Sequence, residues 1–521
     1  MGERKRLVKS TAVFAVFTFV SRIFGYARDL VRAYYLGTSD ASDAFGVAIT
    51  IPNLFRRLLG EGAMSAAFVP VLSDLKNKPR KEWEQYIGSF FTLLSALLAI
   101  VVVGGILLAP MFVPEIFARG FAGNPAKMEL TIALTRISFL YLLFIGLAAL
   151  LQGILNTFKL FGPSAFTPVL LNISIIFCAV GLSPFVEEPA YAFVIGFVLG
   201  GVLQLAFQYP FLKKVGVRLR PAFAWASGGV RRSLRLMGPA LLGFGVYEIN
   251  IATSQLIATY LGEGAISSLQ YSNRMMELPL GIFVAAISTV ILPTLAEKGH
   301  ARDMDGYRHN LGFALRSVLL LTIPAAAFLF IMRKPMFTVL LGYGAFSQTS
   351  INLTAFAFMF HIIGLPMVGL SRVLVPAFYA LEDTKTPVMV AFWAMLTNIV
   401  VAVCTAIWTD LGNGGIALAA SVSALLQAAL LLWLLNRRQS VGLSVSRLLG
   451  AGAKLVLAAL PLVAVCLLAL PYIENTSRLY TFGGFARAFA VAAVVYAVFL
   501  ILLRVEDASE VWNMVKRRIK G

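Results

Sequence analysis

The sequence predicts an all-α polytopic membrane protein of about fourteen transmembrane helices: two pseudo-symmetric six-helix lobes in parallel repeat around a central cavity, plus two C-terminal helices. Three observations carry this. Of 521 residues, 59% are hydrophobic and 13% charged, whereas soluble domains hold about 45–50% and about 25%. The apolar runs are continuous over roughly 20 residues, enough to cross a bilayer as a helix, and do not alternate as barrel strands would. Short motifs also recur at nearly constant separation.

In chain order the first six runs fall at 11–36, 42–72, 86–114, 128–158, 164–184 and 190–212. Six more follow at 232–261, 268–296, 308–332, 350–381, 386–409 and 414–436, and a last pair at 447–472 and 482–504. Polar loops separate them, among them the short ones at 37–41 and 410–413. Arg4, Lys5, Arg6 and Lys9 precede the first run as in a signal peptide, but no small-residue cleavage site follows and the run carries arginines. A retained first helix is expected.

The repeat pairs Tyr35-Leu36-Gly37 with Tyr260-Leu261-Gly262, Phe68-Val69-Pro70 with Ile291-Leu292-Pro293, and Thr167-Pro168-Val169 with Thr386-Pro387-Val388. The separations are 225, 223 and 219 residues. Asn172 and Asn398 lie in the runs that the third pair opens. A period of six spans gives two halves of parallel topology, as in two-lobed transporters with a site between the lobes. The expected domains are an N-lobe at 1–225, a C-lobe at 226–440, a helix pair at 441–505 and a basic tail at 506–521.

Cations mark one side. Lys76, Lys78, Arg80 and Lys81, then Lys213, Lys214, Arg218 and Arg220, follow even-numbered runs, as do Lys159, Lys298, Arg302, Lys385, Arg437 and Arg438. Loops after odd-numbered runs hold Glu187, Glu188, Glu263, Asp410 and Glu474, with Arg333 and Lys334 as exceptions. This asymmetry puts both termini in the cytoplasm and accounts for most of the net charge of +19. No loop is long enough for a basic nucleic-acid-binding domain. Cys178, Cys404 and Cys466 sit in apolar runs without metal-ligand spacing, and His361 reads as a packing or hydrogen-bonding residue.

Charges inside the runs carry the function. Arg22 and Arg28 lie in the first run, Arg56 in the second and Arg274 in the eighth. A charge at mid-bilayer costs roughly 2.5–3.5 kcal/mol on insertion scales, so such residues face a cavity or a partner. Arg22, Gly25 and Asp29 share a helix face; Arg28 points elsewhere unless the helix bends, and Arg28 with Asp29 reads equally as a local pair. Pro52 kinks the second run, and of Arg56 and Arg57 the former is favoured for the cavity while the latter sits four residues from Glu61. Arg274 and Glu277, at i and i+3, allow a self-satisfied pair. Arg372, Glu248 and Asp383 are weaker candidates.

Clustered arginines suit an anionic cargo such as a lipid-linked pyrophosphate, because each guanidinium stays charged and donates two parallel hydrogen bonds. No phosphate loop, histidine metal pair or nucleophile elbow is present, so no enzyme and no ATP-driven pump is expected.

Specific stretches resemble the MurJ/MviN family of lipid II flippases, within the multidrug/oligosaccharidyl-lipid/polysaccharide exporters. They include Ser21-Arg22-Ile23-Phe24-Gly25-Tyr26-Ala27-Arg28-Asp29, Ser42-Asp43-Ala44-Phe45, Pro52-Asn53-Leu54-Phe55-Arg56-Arg57 and Glu61-Gly62-Ala63-Met64-Ser65-Ala66-Ala67-Phe68-Val69-Pro70. Leu155-Asn156-Thr157, Gly238-Pro239-Ala240, Asn273-Arg274-Met275-Met276-Glu277-Leu278-Pro279 and Asp383-Thr384-Lys385-Thr386-Pro387 continue it. The resemblance implies transport of lipid II across the bacterial inner membrane, with Arg22, Arg28, Arg56 and Arg274 binding cargo and Asp43 and Glu277 as cavity acids beside Asp29. It also implies that the last helix pair forms a groove for the polyprenyl tail.

No cofactor is expected. Some members bind sodium in the C-lobe, and Glu248 with Asp383 is the nearest counterpart, yet Tyr379 stands where a small polar side chain belongs. The coupling cation, Na+ or H+, is left open. Expected partners are lipid II, anionic inner-leaflet lipids at the basic loops and the cell-wall synthesis machinery, with no nucleic acid, around a monomer. Rival readings are a flippase for another polyprenyl-linked saccharide, a drug/cation antiporter and a non-transporting scaffold. A cationic cavity disfavours the antiporter.

Overall fold

The computed structural model describes residues 2–58, 67–438, 441–474 and 478–505. Gly60, Glu61 and Gly62 and the expected basic tail lie outside them. Helices dominate and no strand occurs among the described residues. Among the described residues, ten helices are long and apolar enough to cross a membrane. A further pair, Gln348–Ile363 and Leu365–Ala380, is bent by 48° at Gly364 and makes eleven.

The chain divides into two compact units, residues 1–267 with 344–346 and residues 268–343 with 347–521. The first contains α1 (Gly2–Leu36), α2 (Asp40–Arg56), α3 (Val69–Leu75), α4 (Arg80–Phe112), α5 (Pro125–Thr157), α6 (Gly162–Leu182), α7 (Pro189–Lys214) and α8 (Gly228–Thr259). The break after α1 turns on Gly37 in the left-handed region at φ +52, and Ser39 caps α2 by accepting the Ser42 N–H. Asn124 caps α5 in the same way through Lys127 N–H.

The second unit begins at Ser268, inside α9 (Ala265–Pro279), and continues through α10 (Ala285–His300), α11 (Met304–Ile331), α12 (Arg333–Leu340), α13 (Gln348–Ile363) and α14 (Leu365–Ala380). It ends with α15 (Lys385–Trp408), α16 (Asn413–Arg438), α17 (Val445–Ile473) and α18 (Arg478–Leu502). Asp303 caps α11; its carboxyl is held below the usual range by a hydrogen bond from Lys298 and then by the Gly306 N–H. The turn before α16 uses Gly412 at φ +50. In this unit α17 and α18 pack on each other, and α17 packs along α11.

Membrane helices have little apolar driving force toward one another and rely on close packing. The seam between α6 and α7 shows how. Gly196 and Gly200, four residues apart on α7, face α6, and Ser174 donates to the Gly196 carbonyl at 2.9 Å. A Cβ at Gly196 would lie 2.8 Å from the Ile175 Cα. Gly196→Val is therefore expected to cost about 1–3 kcal/mol by overpacking. Heating the detergent-purified variant and measuring the folded fraction by size exclusion checks it; wild-type behaviour would mean the seam opens without penalty.

Prolines inside helices leave a carbonyl four residues earlier without its N–H, and in a membrane that group needs another donor. Here each of five is answered by a side chain. Ser138 serves Ala48 before Pro52, Thr167 serves Ser164 before Pro168, and Arg136 serves Ile106 before Pro110. Tyr496 serves Leu320 before Pro324, and Ser288 serves Arg372 before Pro376. Four of these donors are hydroxyls and one is a guanidinium.

Candidate functional site

The first unit holds most of the predicted residues. On α1, Arg22 is exposed and Arg28 half-buried. Nε and Nη2 of Arg28 donate to Asp29 Oδ1 at 3.1 and 2.7 Å, and Nη1 donates to Asn172 Oδ1 of α6 at 3.2 Å. Asn172 in turn donates to the Ser21 carbonyl at 3.3 Å. The local Arg28–Asp29 pair is thus real, and it leaves one guanidinium fork fixed in direction by groups on two helices. Asp29 is buried beside it.

On α2 the adjacent arginines separate. Arg57 Nη1 bonds Glu248 Oε1 of α8 at 3.1 Å, while Arg56 Nε leans on Asn53 Oδ1 at 3.4 Å. Glu248 is buried, so it serves Arg57 as a structural counter-ion.

Asp43 is fully enclosed within the first unit, at 0% exposure. Lys127 Nζ of α5 lies 2.9 Å from its Oδ2 and 2.6 Å from Asp40 Oδ1. Gly264 N–H donates to Oδ2 at 2.8 Å, and the Ser267 N–H and hydroxyl donate to Oδ1 at 2.9 and 2.8 Å. Asp43 therefore caps the start of α9 with a paired, fully hydrogen-bonded carboxylate. Its ordering role is visible; the same carboxylate offers no open oxygen to cargo in this arrangement.

In the second unit, Arg274 and Glu277 lie half-buried on α9. Arg372 Nη2 from α14 bonds both Glu277 oxygens, at 2.6 and 2.9 Å. Asp383 caps α15, accepting from the Thr386 N–H at 2.9 Å and hydroxyl at 2.7 Å. Ser272 Oγ and His361 Nδ1 are 2.6 Å apart in the interior, which makes His361 a packing and hydrogen-bonding residue. Among the described residues no group of three His, Cys, Asp or Glu is placed to hold a metal.

Three residues escaped the sequence reading. Lys127 is 4% exposed in its side chain, also lies 4.2 Å from the Phe121 ring centroid, and is a cation on the side otherwise poor in them; that anomaly was the available signal. Arg32 is buried, donates to the Ser42 carbonyl at 3.0 Å and lies over the Phe45 ring at 5.2 Å. It shares the Arg22–Asp29 helix face, three residues on from Asp29. Arg136 is the third.

The model of a family described as "Lipid II flippase MurJ" matches residues 32–503. A probable lipid II flippase MurJ of Vibrio cholerae is 41% identical over 434 residues, 82% of each chain. The lipid II flippase MurJ of Burkholderia cenocepacia is 36% identical over 438 residues, 83% of this chain and 84% of that one. Among solved structures, a lipid II flippase MurJ in an inward closed conformation superposes with TM-score 0.79 at 26% identity, covering 95% of this chain and 99% of that one. An inward-facing MATE-family multidrug transporter superposes at 0.67 with 13% identity, covering 82% and 98%, a likeness of fold alone.

Proposed function

The chain belongs to the lipid II flippase MurJ family, and on that premise we propose how its residues carry the undecaprenyl-pyrophosphate-linked precursor lipid II from the inner to the outer leaflet of the bacterial cytoplasmic membrane. It is a multi-pass transporter and not an enzyme. Arg22, Arg28 and Arg56 bind the pyrophosphate, Arg274 is a further cargo-binding residue, and alternating access exposes the cargo on the other side. The observation that carries this chemistry is Arg28: its fork is aimed by Asp29 and Asn172 before any cargo arrives. A preorganised guanidinium loses less freedom on meeting a phosphate than a loose one.

Arg57 and Arg372 sit in ion pairs with Glu248 and Glu277, and act by holding those helices and acids in place. Both termini lie in the cytoplasm, supported by the loop-charge asymmetry, and the basic loops there meet anionic inner-leaflet lipids.

Native mass spectrometry of the purified protein with lipid II, wild type against Arg22→Ala/Arg56→Ala/Arg274→Ala, tests the assignment, with a neutral-headgroup lipid as control. Loss of charge-assisted hydrogen bonds worth about 1.5–3 kcal/mol each predicts at least a tenfold fall in selective binding. Equal binding by both proteins would remove the cation clamp.

A further inference from the structure

Arg136 stands apart from the transport residues. It lies on α5, eleven residues past Pro125 and so roughly 16 Å along the helix, yet its side chain is exposed. Its Nε donates to the Ile106 carbonyl at 3.2 Å, the group left over by Pro110. At the other four in-helix prolines described above, a hydroxyl suffices for that task. A guanidinium with five donors, held on an outer face at membrane depth, does more than answer one carbonyl.

A cavity of about 510 Å³ opens at this point, lined by Pro114, Met128, Glu129, Ile132, Ala133 and Arg136 among others. Its walls are apolar, and its two charges are ordered. Glu129 is two turns nearer the helix start than Arg136, on the same face. The Arg136 side chain leans back toward the helix N-terminus, as helical side chains do, so its head lies between its own backbone level and that of Glu129. Beyond Arg136 the outer surface is apolar, with Leu140 one turn further on α5 and Val103, Ile100 and Leu97 along α4 all exposed.

We propose that this crevice is a binding site for a phospholipid with a primary-amine headgroup, in the leaflet on the side of the 118–124 loop. Arg136 receives the phosphate, Glu129 receives the ammonium, and the acyl chains run down the Leu140 and Val103 surface. The charge order fits such a lipid: amine outward, phosphate inward, hydrocarbon below. A phosphatidylglycerol headgroup satisfies Arg136 but sets no cation against Glu129. A free phosphate leaves the apolar walls unused.

The test uses the purified full-length protein in detergent, native mass spectrometry and an equimolar mixture of phosphatidylethanolamine and phosphatidylglycerol. Wild type is expected to retain the ethanolamine lipid about fivefold over the glycerol lipid, the worth of one partly exposed ion pair. Glu129→Gln abolishes that preference while total phospholipid stays constant, and Arg136→Gln lowers retention of both lipids about tenfold. Glu129 lies on the surface, so its variant folds even where loss of the Ile106 contact harms the other. No preference in wild type, or a preference that Glu129→Gln leaves intact, overturns the proposal.

Discussion

Replacing Lys127 with Met is expected to cost the folded protein about 3–5 kcal/mol, the effect of leaving a buried charge without its partner. Asp43 has no solvent to turn to at 0% exposure, and its remaining donors are the neutral Gly264 and Ser267 groups. The Met side chain fills the volume of the lysine stem, so the loss isolates the charge. Heating the detergent-solubilised protein and recording the folded fraction by size exclusion gives the readout. The double variant Asp43→Asn/Lys127→Met is expected to recover part of the loss, because the amide oxygen still accepts a hydrogen bond without demanding a counter-ion. A single variant as stable as wild type would show that the pairing of Asp43 with Lys127 contributes little.

Arg28→Ala is expected to abolish growth complementation in a strain depleted of its own flippase, with protein still present in the membrane fraction. Its guanidinium is held by contacts at 2.7, 3.1 and 3.2 Å to Asp29 and Asn172, which fix where the remaining donors point. Arg28→Lys should fail as well, since an ammonium cannot touch Asp29 and Asn172 and still present a flat fork to phosphate. Asn172→Ala should slow transport by a smaller factor, about tenfold, through loss of aim. Full complementation by Arg28→Lys would reduce the role of this residue to its charge.

The spans were legible because a run of some twenty apolar residues has few other uses; the short breaks at 37–41 and 410–413 were the least distinct, and there the chain turns through positive φ at Gly37 and Gly412. The Arg28–Asp29 pair was legible as neighbours in sequence. What the sequence hid were partners brought by packing. Glu248 reaches Arg57 across 191 residues, Arg372 reaches Glu277 across 95, and Lys127 reaches Asp43 across 84. Helical spacing reveals contacts three or four residues apart and is silent on those between helices. Asp43 was expected in a cavity on the family resemblance alone, and nothing in the residues near it in sequence pointed to Lys127, Gly264 or Ser267 as its bonding partners.

Three residues, Gly344 to Phe346, belong by packing to the first unit although the sequence on either side belongs to the second. The Ala345 N–H bonds the Tyr34 carbonyl at 2.7 Å, and Gly37 and Gly344 let the two backbones meet there. A ribosome therefore cannot finish the first unit when it finishes the first half of the gene. With 225 residues made, Asp43 and Lys127 are both in hand, but Gly264, Ser267 and Ala345 do not yet exist. At about 5–20 residues per second, roughly fifteen seconds to a minute separate Asp43 from the last of these contacts. Through that interval the newborn helices wait in the membrane with one carboxylate short of donors and one helix end uncovered, and a nascent chain that stalls early leaves a fragment the bilayer cannot complete.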